Sequence, residues 1–273
     1  MSIINSNLRS LVAQQAMVVN GRQLSDAMSQ LATGRRINSS ADDAAGLAIG
    51  NKLNSQVISL AQAVRNAGDG VSLMQTADGA ADEITNMLVR MRELAVQSRN
   101  GTNSAGDQTA LNTEYTALRT QIQQITTHTQ WNGMKIIGGD KATVSFHVGA
   151  SDNDQVQVQF KNLWASGIAS GVSATDILSA QAIDSAIGGI DLAMGAVDEF
   201  RSSLGAVMNR LNHAADNAMN VMTNTAASRS RIMDTDYAKA TSALARAQIV
   251  QQAGMAMLSQ ANQTPRTVLM LLR

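Results

Sequence analysis

Cysteine is missing from all 273 residues, so neither a disulfide nor a thiolate metal site holds this chain together; packing or partners must do so. Proline occurs once, at Pro265, and aromatic residues make up only 3%. So few helix breakers and bulky rings disfavour a compact mixed core and favour long unbroken helices. Charge is thin as well, 15% of residues against roughly 25% in an average domain. The 21 basic and 21 acidic residues cancel. That excludes a dominant basic surface for nucleic acid and removes one barrier to self-association. No apolar run approaches the roughly 20 residues of a membrane-spanning helix. The opening residues, Met1-Ser2-Ile3-Ile4-Asn5-Ser6-Asn7, lack the basic and apolar regions of a cleaved secretory signal. On these grounds alone the expected address is cytoplasmic.

The constellations of catalysis are missing too. His128, His147 and His213 fall in different elements, none with a partner at metal-ligand spacing. There is no HExxH and no GxSxG. Asp42 and Asp43 are neighbours, which point apart on a helix, and read as acids stabilising a helix start. Asp152-Asn153-Asp154 lacks the glycine and distal glutamate of a calcium loop and reads as a turn. Gly138-Gly139 lacks the strand–GxGxxG–helix context for phosphate and reads the same way. No catalytic residue, metal ligand or cofactor is expected.

What the chain does have is periodicity. Residues 247–265 carry no charge. There Ala243, Ala247, Val250, Gly254, Met257 and Ala261 alternate four and three apart, a seam of small and soft side chains on one helix face. At the other end Ile4, Leu8 and Leu11 keep the same rhythm, which resumes with Met17, Leu24, Met28 and Leu31; Leu244, Leu258, Leu269 and Leu272 add to the apolar set. Alone, two such helices are marginal in water. They are expected to pair, residues 1–40 with 237–273, and to gain most of their stability from other copies. These apolar residues form the expected assembly seam.

Between the ends, residues 33–40 are polar and turn-prone, and Ser40 or Asp42 could cap the next helix. That helix is long. Val57, Leu60, Val64, Ala67, Val71 and Met74 alternate three and four apart. After a one-residue slip so do Ala77, Ala81, Ile84, Leu88, Met91 and Ala95, with Gly68 and Gly70 inviting a mild bend. A loop at 100–106 precedes a shorter helix striped by Leu111, Tyr115, Leu118, Ile122 and Ile125, which Asn132-Gly133 breaks. Then the period becomes two: Val144, Phe146 and Val148, a polar turn, and Val156, Val158 and Phe160 predict a hairpin. Residues 164–174 read as irregular. The longest signal follows, Ile183, Ile187, Ile190, Met194, Val197, Arg201, Leu204, Met208, Leu211, Ala215, Ala218 and Met222, in which only Arg201 departs from apolar character. Sustained heptads of this kind predict a coiled-coil helix, loosening over 224–236 before a terminal helix from Tyr237. Met194, Met208, Met222 and Met257 lie on these seams as core fillers. The fold expected is mainly α: a long antiparallel coiled-coil rod over 41–236, paired terminal helices, and a small central β-hairpin region at about 134–174.

Several ordered segments resemble those of bacterial flagellins. Near the start these are Ser10-Leu11-Val12-Ala13-Gln14-Gln15, Leu31-Ala32-Thr33-Gly34-Arg35-Arg36-Ile37-Asn38 and Ala41-Asp42-Asp43-Ala44-Ala45-Gly46-Leu47-Ala48-Ile49. Arg90-Met91-Arg92-Glu93-Leu94-Ala95-Val96-Gln97, Asn100-Gly101-Thr102-Asn103 and Thr129-Gln130-Trp131-Asn132-Gly133 continue the pattern, with Trp131 where the family usually has phenylalanine. The far end matches through Ser230-Arg231-Ile232, Asp236-Tyr237-Ala238, Arg246-Ala247-Gln248-Ile249, Gln251-Gln252-Ala253-Gly254, Gln260-Ala261-Asn262-Gln263 and Leu271-Leu272-Arg273.

The resemblance implies a structural subunit that polymerises with its own kind into the flagellar filament, a motility organelle. It implies an extracellular address, reached through the flagellar export channel with the help of an export chaperone and apparatus, in place of the cytoplasmic default. Filament cap and hook-associated proteins are the other implied partners; nucleic acid and a membrane span are not. Residues 140–174 leave room only for the hairpin, so a short flagellin without large outer domains is expected. In some relatives an animal innate-immune receptor grips an Arg-x-Arg-Glu-Leu segment and a glutamate on the next helix; Arg90, Leu94 and Glu114 occupy those positions. The alternatives are a hook–filament junction protein and a flagellin-like cell-surface binding protein.

Overall fold

A computed structural model describes residues 7–139, 143–160, 162–172 and 176–271, with the side chains of 166, 170 and 264–271 outside the description. The fold is mainly α. Helix α1, Leu8–Thr33, opens on Asn7, whose side chain accepts the Ser10 N–H, and closes on Gly34 at φ 69. That left-handed position suits glycine, and the Gly34 N–H bonds the Gln30 carbonyl as an end cap. Helix α2, Ala44–Ser98, is capped by Asp43, whose carboxylate accepts the Gly46 N–H at 2.8 Å. Neither Ser40 nor Asp42 does this. Asp42 instead accepts the N–H groups of Asn38 and Ser39, each at 2.9 Å, and shapes the turn before the helix. Those two donors hold its carboxyl below the ordinary value of 3.8. Helix α2 runs through Gly68 and Gly70 without a break.

Helix α3, Ala105–His128, starts on a reciprocal capping box between Ser104 and Asp107. It has already ended when Asn132-Gly133 arrives. That pair, at φ 48 and φ 77, turns a small hairpin of β1, Gln130–Trp131, and β2, Met134–Lys135. The larger hairpin pairs β3, Thr143–His147, with β4, Gln155–Gln159, Val144 opposite Val158 and Phe146 opposite Val156. Expected irregular, residues 164–172 form one wide turn at Trp164–Ile168 leading into α4, Ala169–Gly171. Helix α5, Ala180–Met233, does not loosen over residues 224–233. Its heptads carry on through Ala218, and the stop comes only where Arg36 and Gly34 meet its end. Helix α6 is Tyr237–Leu271.

Contacts divide the chain into two units, residues 1–57 with 223–273, and residues 58–222; periodicity alone had placed the breaks at 40/41 and 236/237. In the second unit Met74, Ala77, Ala81, Ile84, Leu88 and Met91 of α2 are buried with Ile183, Ile190, Val197 and Leu204 of α5, Tyr115 and Ile122 of α3, and Val158 and Phe160 of the hairpin. Leu60 and Leu211 are buried, and Val64, Leu118, Ile187 and Met208 half-buried. Val57 is half-buried in the first unit. Each large aliphatic side chain withdrawn from water stabilises the unit by about 1.5–3 kcal/mol. Arg201, the one charge in the α5 heptads, is not stranded. Its guanidinium pairs with Asp78 and Asp82 of α2, both at 2.9 Å.

Candidate assembly surface

In the first unit α1 and α6 pack antiparallel. Asn7 donates to the Ala261 carbonyl at 2.8 Å and Asn20 to the Ala247 carbonyl at 2.8 Å. A Cβ on Gly254 would lie 3.2 Å from Cγ of Met17. The inner stripe of α1 is Ser10, Ala13, Met17, Asn20, Leu24, Ala27 and Leu31, and that of α6 is Ala240, Leu244, Ala247, Gln251, Gly254, Leu258 and Ala261, all buried or half-buried. Both stripes alternate threes and fours, so the heptad rhythm is real. Small residues on α6 let the backbones close in, and two amides use that closeness to reach helix carbonyls.

The expected seam therefore divides. Met17, Leu24, Leu31, Leu244 and Leu258 lie on the inner stripe. Leu8, Leu11, Met28, Val250 and Met257 point outward, with Leu11 65% and Met257 67% exposed. Ile4 and Leu272 lie outside the described residues, as does the side chain of Leu269. Sequence reasoning missed Val12, Val18, Val19, Ile249 and Met255, all exposed. The signal was there in the doublets Leu11-Val12, Val18-Val19 and Ile249-Val250, because adjacent residues sit about 100° apart and widen an apolar arc beyond one stripe. It also missed Ser10 and Asn20, buried polar residues that no apolar pattern can flag.

One side of the pair is a shallow groove lined by Leu8, Val12, Ala13, Met257 and Ala261, continuing past Val19 and Val250. Its lining includes few charges, Arg9, Asp26 and Arg246. An apolar arc of this extent left wet is a surface for association. Elsewhere, Arg90 donates to Glu114 at 2.9 Å and Glu93 at 3.1 Å, all three exposed. Those carboxylates push the Arg90 guanidinium up from its ordinary value. Leu94, expected beside them at a receptor contact, is instead fully buried in the core of the second unit. The reason is its place on the inward arc of α2, between Met91 and Ala95, both also at 0% exposure.

Residues 4–142 match the bacterial flagellin N-terminal helical region and residues 187–272 the bacterial flagellin C-terminal helical region. The chain belongs to the bacterial flagellin family. It is 45% identical over 271 residues to the flagellin of Halalkalibacterium halodurans, covering 99% of this chain and 100% of that one, and so is a short flagellin. It is 40% identical to a flagellin of Xenorhabdus nematophila, over 100% of this chain and 99% of the relative. Polar flagellin F of Vibrio parahaemolyticus, 32% identical, aligns over 372 positions with 98% of this chain and 99% of its own. Such relatives therefore carry inserted sequence that this chain does without. The crystal structure of Bacillus cereus flagellin superposes with a TM-score of 0.52 at 28% identity, over 56% of this chain and 88% of that one. A Vibrio parahaemolyticus protein described as flagellar and hook-associated shares the fold, with a TM-score of 0.60 at 15% identity over 71% of this chain and 100% of its own. The chain is a structural subunit of the bacterial flagellar filament and self-polymerises into it. The family match ranks that function above the junction-protein and surface-binding alternatives.

Proposed function

We propose that filament growth is driven by burial of the outward apolar arc of the α1–α6 pair between successive subunits, and that the chain itself performs no catalysis. The exposure of Leu11 on a helix already paired along its opposite side carries this reading. A contact between unlike patches, repeated without closure, gives an open helical polymer. Leu11→Asp tests it: a carboxylate desolvated without a partner costs about 3–5 kcal/mol, so the variant should stay monomeric under conditions where the parent polymerises. Normal filaments of Leu11→Asp, seen by electron microscopy, would overturn it.

The finer assignments rest on family resemblance. They are passage through the flagellar export channel, an export chaperone on the carboxyl-terminal region, and contacts with filament cap and hook-associated proteins. No helix among the described residues is long and apolar enough to cross a membrane. Recognition by an innate-immune receptor would fall to Arg90 and Glu114, with packing against a neighbouring subunit as their main role. Absence of receptor binding by the monomer at micromolar concentration ends that idea.

A further inference from the structure

Helix α1 gives way to α2, and α5 to α6, at the same level of the first unit, and the two breaks are stitched together. Arg35 and Asp234 form an antiparallel bridge. The Arg36 N–H donates to the Met233 carbonyl at 2.7 Å, and the Thr235 N–H to the Gly34 carbonyl at 2.9 Å. The Arg36 guanidinium donates twice to the Ile232 carbonyl, at 3.1 and 2.6 Å. A helix leaves its last four carbonyls without internal partners and its C-terminus partly negative, so a cation there both bonds and balances it. Arg36 alone satisfies two of those carbonyls on α5. In return Gly34, the end cap of α1, is bonded from the residue that leads into α6. Gln30 of α1 donates to the Arg36 carbonyl at 3.3 Å, and Ile37 beside it is 1% exposed. Each helix end is thus capped by the chain that leaves the other.

We propose that Arg36 is a positioning residue for assembly: by capping α5 from the end of α1 it makes the two breaks one joint, so that α1 and α6 order and move as a pair. This rests on the reading that the α1–α6 pair is the assembly surface. A second residue gives the joint an opposite handle. The Thr235 hydroxyl is buried there with no hydrogen-bond partner, a cost that valine would not carry.

The test is hydrogen exchange, read by mass spectrometry on the polymerised full-length chain, in peptides covering residues 30–38 and 230–238. Losing charge-assisted bonds at an exposed site should speed exchange roughly tenfold. With Arg36→Met the increase is expected on both sides of the joint, with Arg36→Lys a smaller increase on both, and with Thr235→Val a decrease on both. A merely local cap would change 230–238 alone, and that result, or no change at either side, overturns the proposal. Should Arg36→Met fail to polymerise, Thr235→Val filaments decide it by the same two peptides. Polymerisation of Leu11→Asp would instead sink the assembly reading and leave the exchange result standing.

Discussion

At the residue scale, the tightest constraint in the second unit is a place with no side chain. A Cβ on Gly189 of α5 would fall far inside van der Waals contact distance of the Gly171 carbonyl oxygen at the end of α4. Backbone meets backbone there, and neither can step aside as a flexible side chain would. Gly189→Ala should therefore destabilise the second unit by about 1–3 kcal/mol or more through overpacking, lowering its melting temperature by roughly 2–4 °C for each kcal/mol. Gly188→Ala is the control, since nothing lies within 4 Å of that position; it should hold or slightly raise the melt, alanine being the better helix former. Tyr115 is the converse case, fully buried with its hydroxyl unpartnered. Burial pushes the phenol above its ordinary value of 10.0, with Arg119 opposing more weakly. A group whose folded value is raised contributes stability fully present below the unfolded value and lost as pH rises past it. Tyr115→Phe should leave the fold intact at neutral pH and as stable or up to about 1 kcal/mol more so. It should also flatten the fall in stability above pH 10 that denaturant titrations of the parent will show. None of this was legible beforehand, because a glycine's neighbours and a hydroxyl's missing partner are tertiary facts.

At the scale of elements, legibility tracks period. The α5 heptads predicted alternating burial, and Ile183, Ile190, Val197, Leu204, Leu211 and Ala218 are the buried column with the intervening positions half-buried. The hairpin strands showed through their period of two. Ends were harder. Asp43 and Asp42 divide capping and turn-forming between them in a way that composition cannot assign, since both acids suit a first turn. The wide turn at Trp164–Ile168 has no repeat to betray it. The inner and outer faces of α1 were confused because both are apolar, and the polar Asn7, Ser10 and Asn20 mark which side meets α6. Of the ends, α3 is the sharpest to test. Ser104 and Asp107 cap each other, and the Ser104 hydroxyl and N–H hold the Asp107 carboxyl below its ordinary value of 3.8. A depressed carboxyl adds stability above the unfolded value and loses it as pH falls through the folded one. Ser104→Ala should cost about 1 kcal/mol and raise the Asp107 titration, followed by carboxyl NMR, part of the way back, since the backbone N–H at 104 still donates. An unchanged Asp107 titration would mean that the capping box does not persist in solution.

For the whole molecule, the division of labour between the two units makes a sharp forecast about the carboxyl-terminal helix. Among the described residues, the main buried hydrophobic cluster of the second unit runs from Leu73 to Leu204, with Val207 and Met208 packed against it. Deleting residues 240–273 removes none of these. It does remove the inner stripe of α6 from Ala240 to Ala261, together with the outward Ile249, Val250, Met255 and Met257. Such a chain should keep a cooperative melt from the second unit close to that of the parent, while α1, marginal in water without a partner helix, loses its protection from exchange. It should form no filaments by electron microscopy at any concentration where the parent does. Leu258→Asp separates the two jobs of the deleted helix. Leu258 sits on the inner stripe, so its replacement should unpair α1 from α6 within one chain and only through that loss prevent assembly. Leu11→Asp should block assembly with the pair still formed. Exchange along α1 distinguishes them: fast in Leu258→Asp, near the parent monomer's rate in Leu11→Asp. Equal protection in the two variants would mean that inner and outer faces are not separate surfaces. Assembly would then depend on total apolar area at the ends rather than on which side of the helix pair displays it.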